Sequence, residues 1–143
     1  MPFNPLPTVY SVAPSNPTGT TNTSGLMMGL AGSITPRVTG RVLVIMTGNI
    51  ANDTTADGCS VRLRLGTGTA PANAGALAGT VYGTIASSTE EQSIVGGNKA
   101  PFTLQALITT LTVGTAYWID CDVAAITAGT ASVADVYISA IEI

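Results

Sequence analysis

The apolar and polar positions of this chain fall into strand-like runs, clearest in the stretch from Gly40 to Gly66. It opens with Val42, Leu43, Val44, Ile45 and Met46, an unbroken, partly β-branched apolar run. A short run of that kind suits a strand buried on both faces better than a helix. A polar loop is expected from Asn49 to Gly58. Ser60 to Leu65 then alternates strictly, with Val61, Leu63 and Leu65 on one side and Ser60, Arg62 and Arg64 on the other. A period of two marks a strand with one buried face. The two runs read as part of an antiparallel sandwich.

Around that pair the chain predicts further strands. Residues 1–24 carry Pro2, Pro5, Pro7, Pro14 and Pro17, five of the eight prolines. Proline fixes φ and pushes the residue before it to extended geometry. This segment is therefore expected to be an extended N-terminal arm and linker, with Thr8–Val12 able to pair as an edge strand. Residues 25–143 form the folded domain. Leu26–Ile34 predicts a strand, a short helix being the alternative, and Gly66–Gly79 predicts a long surface loop. That loop has neither the glycine spacing nor the Gly-Lys-Ser/Thr ending of a phosphate loop. Strands follow over Thr80–Thr89 (Val81 and Ile85 opposite Tyr82), Phe102–Ile108, Thr115–Val123 and Val133–Ile143. Glu90 to Lys99 reads as a polar loop. Roughly six to eight strands at about ten-residue spacing, with no helix longer than a turn or two, make an all-β sandwich or barrel. Val44, Val61, Leu63, Ile119 and Val123 are its expected core.

Composition changes the picture mainly by what is missing. Only 9% of residues are charged and there is no histidine, against about 25% charged in ordinary soluble domains. Surfaces of Thr, Ser and Asn suit a protein that sits among copies of itself or on a larger body. The net charge of −3 and five scattered basic residues argue against a nucleic-acid partner, which needs clustered Lys and Arg. Arg62 and Arg64 share a strand face and are read as solvated or as a cross-strand salt bridge. No run approaches the ~20 apolar residues of a membrane-spanning helix. The start, MPFNPLPTVY, has no basic region or apolar core of a signal peptide, which fits a cytosolic product or a virion protein assembled inside a host cell.

Chemistry is sparse. On Thr115–Val123, Tyr117, Ile119, Cys121 and Val123 alternate with Trp118, Asp120 and Asp122. Two carboxylates beside a tryptophan suggest a cation or a sugar, but a calcium ion takes six to eight oxygens from several segments, so a solvated face is the preferred reading. Cys59 and Cys121 are too few for a disulfide framework, and Cys121 is expected as a buried free thiol. Without histidine there is no triad or histidine metal site. No catalytic residue, cofactor site or metal site is assigned.

The runs GRVLVIMTGNI (40–50), SVRLRLGTGTAP (60–71), LTVGTAYWIDCDV (111–123) and TASVADVYISAIEI (130–143) resemble small jelly-roll virion proteins of tailed bacteriophages. These include capsid decoration, or cement, proteins and the heads of short fibres. The resemblance covers the chain from about Leu26 onward. It implies an antiparallel jelly-roll-like β-sandwich, often trimeric, on a virion surface, with the major capsid protein as partner. With the arm and the low charge it leads to an expected homotrimer. The arm would contact a neighbouring subunit or the shell through Phe3, Leu6, Val9 and Tyr10. A fibre-tip or lectin-like module binding a host glycan is the alternative.

Overall fold

A computed structural model describes residues 5–54, 57–88 and 99–143. Phe3 and most of the Glu90–Lys99 stretch lie outside those residues. The strands, in chain order, are β1 (Val9–Val12), β2 (Leu26–Met27), β3 (Gly32–Ile34), β4 (Val42–Asn52), β5 (Cys59–Thr67), β6 (Thr80–Ser88), β7 (Ala100–Ile108), β8 (Tyr117–Ala125) and β9 (Ala131–Glu142). Among the described residues there is no helix.

The strands form two antiparallel sheets. The first has the order β1-β9-β4-β7. The second has the order β2-β8-β5-β6, with β3 also paired to β8. From β6 onward the chain passes to the opposite sheet at each connection, so the fold is an all-β sandwich of the jelly-roll type. Val42, Val44 and Met46 of β4, Leu104 of β7 and Ile138 of β9 meet Val61, Leu63 and Leu65 of β5 and Ile119 and Val123 of β8 in one continuous core. All five expected core residues are fully buried. Each such side chain contributes about 1.5–3 kcal/mol by leaving water.

Three features differ from expectation. β4 runs on through Asn52 instead of ending before Asn49, because its partners β7 and β9 continue beside it. A bulge is inserted where Thr47 faces Tyr137 but Asn49 faces Ala134. The apolar run of β4 is also not buried on both faces: Leu43 and Ile45 point outward and stay half-exposed. Finally, Leu26–Ile34 is not one strand. β2 and β3 both pair with β8, and the backbone bows between them, with φ of 71° at Gly29 and 52° at Ala31.

The N-terminal segment lies along the first sheet. β1 is its edge strand, with Val9 opposite Ile141 and Val12 opposite Ile138. Beyond it, Thr20 exchanges backbone hydrogen bonds with Ala131.

Candidate functional site

Strand alternation places Arg62 and Arg64 of β5 and Asp120 and Asp122 of β8 on the outer face of the second sheet, where Arg62 lies opposite Asp122 and Arg64 opposite Asp120. This face is not solvated. Asp120, Asp122 and Trp118 are buried because the chain folds back over them. Asp122 accepts from Arg62 Nε at 2.8 Å and from Arg64 Nε. The guanidinium groups reach on to the loops: Arg62 donates to the Ser24 carbonyl at 3.3 Å, and Arg64 to those of Ala78 and Gly79 at 3.1 and 3.3 Å. Asp120 accepts the N–H groups of Gly29 at 2.8 Å, Leu30 at 3.0 Å and Cys121 at 2.8 Å. Burial pushes the Asp120 carboxyl up, and the charge of Asp122 adds to that. The three backbone donors pull the other way without cancelling it. The carboxylate oxygens are therefore engaged by the protein itself, and the cluster acts as a clamp holding residues 24–30 and 77–79 to the sheet. Of the two sequence readings for the arginines, the cross-strand salt bridge is the one formed.

Beside the clamp lies a cleft of about 450 Å³, lined by Thr67, Thr69, Thr80, Tyr82, Tyr117 and Trp118 among others. Trp118 donates its indole N–H to the Thr67 carbonyl at 3.2 Å. Its ring packs on Gly66 and Gly79, where a β-carbon would collide with it. The glycines of the Gly66–Gly79 loop thus seat the aromatic ring against backbone. The Tyr117 hydroxyl accepts the Thr112 N–H at 3.0 Å. Hydroxyls and aromatic faces without a charged lining suit a neutral polyhydroxyl ligand. Among the described residues, no three Cys, Asp or Glu side chains are grouped to hold a metal ion.

Of the residues expected at a subunit or shell contact, the structure describes Leu6, Val9 and Tyr10. Phe3 lies outside the described residues. Leu6 is 80% exposed and Val9 also points to solvent, whereas Tyr10 packs against the chain's own core. Thr8 ties this segment down: its N–H donates to Glu142 at 3.0 Å and its hydroxyl to the Thr35 carbonyl at 2.8 Å.

Glu142 is a buried residue that the sequence did not single out. Its carboxylate also accepts the N–H groups of Arg37 at 2.9 Å, Val38 at 2.7 Å and Thr39 at 2.6 Å. Burial raises this carboxyl, but the converging backbone donors outweigh it and hold the pKa at about 2. Both cysteines are free and buried. Burial pushes the Cys59 thiol up to about 12. Cys121 is raised by burial and then by the charges of Asp120 and Asp122.

No protein-family model and no curated protein sequence matches this chain. Solved structures do share its shape. A chain from the structure of infectious bursal disease virus, Gx strain, matches with a TM-score of 0.53 at 13% identity, over 95% of this chain and 32% of that one. The present chain thus spans about a third of that protein's length. The Eiger TNF of S. frugiperda matches with a TM-score of 0.49 at 12% identity, over 94% of this chain and 85% of that one. The C-terminal CBM6 of LamC, from Zobellia galactanivorans, matches with a TM-score of 0.43 at 16% identity, covering 91% and 90%. At these identities what is shared is the fold.

Proposed function

We propose that this chain is a non-enzymatic structural protein of a bacteriophage virion. In this reading it is a capsid decoration protein that binds the major capsid protein on the shell surface and stabilises the shell. It acts as a homotrimer assembled in the host cytoplasm, with no cofactor, nucleic-acid or membrane partner. One observation carries the reading. Asp120, Arg64 and Glu142 are buried and bonded to the chain's own loops, and Asp122 is buried and bonded to Arg62 and Arg64. Part of the little charge it has is therefore spent inside. Among the described residues the outside carries a few dispersed charges, Arg37, Arg41, Asp53, Lys99 and Asp135, among hydroxyls, amides and apolar side chains such as Leu6 and Val9, a surface suited to close packing among protein subunits. Support for the fold comes from the likeness to a chain of a virus structure.

Co-sedimentation with purified shells that lack the protein tests this. The wild-type chain should bind them and raise their melting temperature. Leu6→Asp should weaken binding about 10–100-fold, the equivalent of losing one buried leucine side chain. A wild-type chain that stays in the supernatant at micromolar concentration would refute the reading.

The cleft beside Trp118 favours a second reading, a module that binds a host surface glycan. A glycan array would separate the two. Binding to a neutral oligosaccharide that Tyr82→Ala abolishes would favour the second.

A further inference from the structure

The segment ahead of β1 is fixed at Thr8 and exposed before it. Thr8 is tied to Glu142 and to the Thr35 carbonyl, whereas Pro5, Leu6 and Pro7 are all exposed, Leu6 to 80%. No side chain in MPFNPLP is charged, and Pro2 and Pro5 stand with two residues between them. That is the Pro-x-x-Pro spacing of segments recognised as polyproline II helices. Prolines lack the N–H group, so such a segment presents backbone carbonyls and few donors.

The cleft beside Trp118 has the complementary chemistry. None of its lining side chains is charged, and its threonines Thr67, Thr69 and Thr80 are exposed hydroxyls able to donate. Tyr117 accepts the Thr112 N–H and keeps its own O–H proton to give. Tyr82 and Tyr117, both half-buried, supply aromatic walls, the lining that Pro-rich segments dock into. The volume of about 450 Å³ falls within the roughly 300–1,000 Å³ of binding clefts. Trp118 itself is only 6% exposed, with its ring on Gly66 and Gly79. It therefore offers no open indole face for a sugar to stack on, which favours the segment over a glycan here.

We infer that the Trp118 cleft of one copy receives the Pro2–Pro7 segment of a second copy, with Leu6 as its apolar anchor. The inference rests on the homotrimer reading above and names its contact. A second copy is the occupant because Pro5, Leu6 and Pro7 of the chain itself lie exposed and outside the lining of its own cleft. Neither surface carries a charge, so the two meet without a desolvation penalty for ions. The giving and receiving surfaces differ, so the contact is head-to-tail, the type that closes into rings such as a trimer. A segment already extended as polyproline II loses little freedom on docking, which suits a contact made by so few residues.

Sedimentation velocity of the full chain at about 10–300 µM, a span suited to modest contacts, is the first test. Wild type should sediment as an oligomer. Leu6→Asp on the segment and, independently, Thr80→Lys in the cleft should each raise the dissociation constant at least ~10-fold. Ile126→Lys, exposed just beyond β8 at the end away from Tyr117, should change nothing, and thermal melting checks that every variant folds. The second test adds a synthetic peptide of residues 1–8 to full-length Leu6→Asp, whose cleft is unaltered. Trp118 emission should shift saturably. The same peptide carrying Leu6→Asp should leave it unchanged, as should the wild-type peptide added to Thr80→Lys. Variants that stay oligomeric would overturn the inference and leave the homotrimer reading standing. A monomeric wild type would overturn both. A neutral oligosaccharide that shifts Trp118 emission where the peptide does not would also overturn the inference, assigning the cleft to a glycan.

Discussion

Glu142 shows how much one side chain can organise. The loop from Arg37 to Gly40 turns its N–H groups onto this carboxylate, and Thr8 joins from β1's side. Because the folded pKa of about 2 lies below the ordinary 4.5, the stabilisation is complete above the ordinary value. It is lost as pH falls toward the folded one. Glu142→Gln should cost about 2–3 kcal/mol at neutral pH, the scale of charge-assisted hydrogen bonds. The gap between the melting curves of wild type and variant should close between about pH 4.5 and pH 2. A gap that is constant with pH would mean the carboxylate is not what holds the loop. Asp120, whose carboxyl is raised, is present in both proteins and drops out of that difference. Leu63→Ala, at a fully buried site, should cost about 2–5 kcal/mol; a denaturant titration giving under ~0.5 kcal/mol would contradict its place in the core. The cysteines should be inert. Raised thiols are not thiolates at neutral pH, so an aromatic disulfide reagent should label Cys59 and Cys121 only as fast as the protein unfolds. Rapid labelling of the native chain would show that one of them is reachable.

At the scale of elements, β1 can be tested directly. It contributes Tyr10 and Val12 to the core and covers one edge of β9. Removing residues 5–12 should cost about 2–4 kcal/mol in partly buried side chains. It should also bare a pairing edge that promotes association, read by thermal melting and light scattering. A truncated chain with unchanged melting and no scattering would mean β1 is only loosely laid on the sheet. Most elements were legible because alternation survives wherever one face is buried, as in β5, β7 and β8. The clamp was not. Arg62, Arg64, Asp120 and Asp122 show the period of a solvated face, and only the distant loops 24–30 and 77–79 bury them. Glu142 was hidden for a related reason. Between Ile141 and Ile143 the apolar neighbours suggest that it points outward, yet both isoleucines face solvent and the carboxylate turns in to meet a loop about a hundred residues earlier. The cleft depends on Gly66 and Gly79 meeting Trp118, a contact that local patterning does not encode.

For the molecule as a whole, the order of strands sets how it can fold. The first sheet is completed only when β9 enters between β1 and β4, bringing Val133, Val136 and Ile138 into the core. A chain ending before residue 131 should therefore remain largely unfolded by circular dichroism, and a cooperative melt from it would refute this. Refolding of the full chain should take milliseconds to seconds, as for other sandwiches dominated by distant pairings, and a stopped-flow trace complete within microseconds would contradict that. Such measurements have a built-in optical reporter. The protein has a single tryptophan, and Trp118 is buried, packed on Gly66 and Gly79, while lining the cleft. Native emission should be blue-shifted and come from one population. A red shift that precedes the loss of circular dichroism would report the Gly66–Gly79 loop lifting before the sheets part. A change in intensity on adding a sugar, without any loss of circular dichroism, would report occupancy of the cleft.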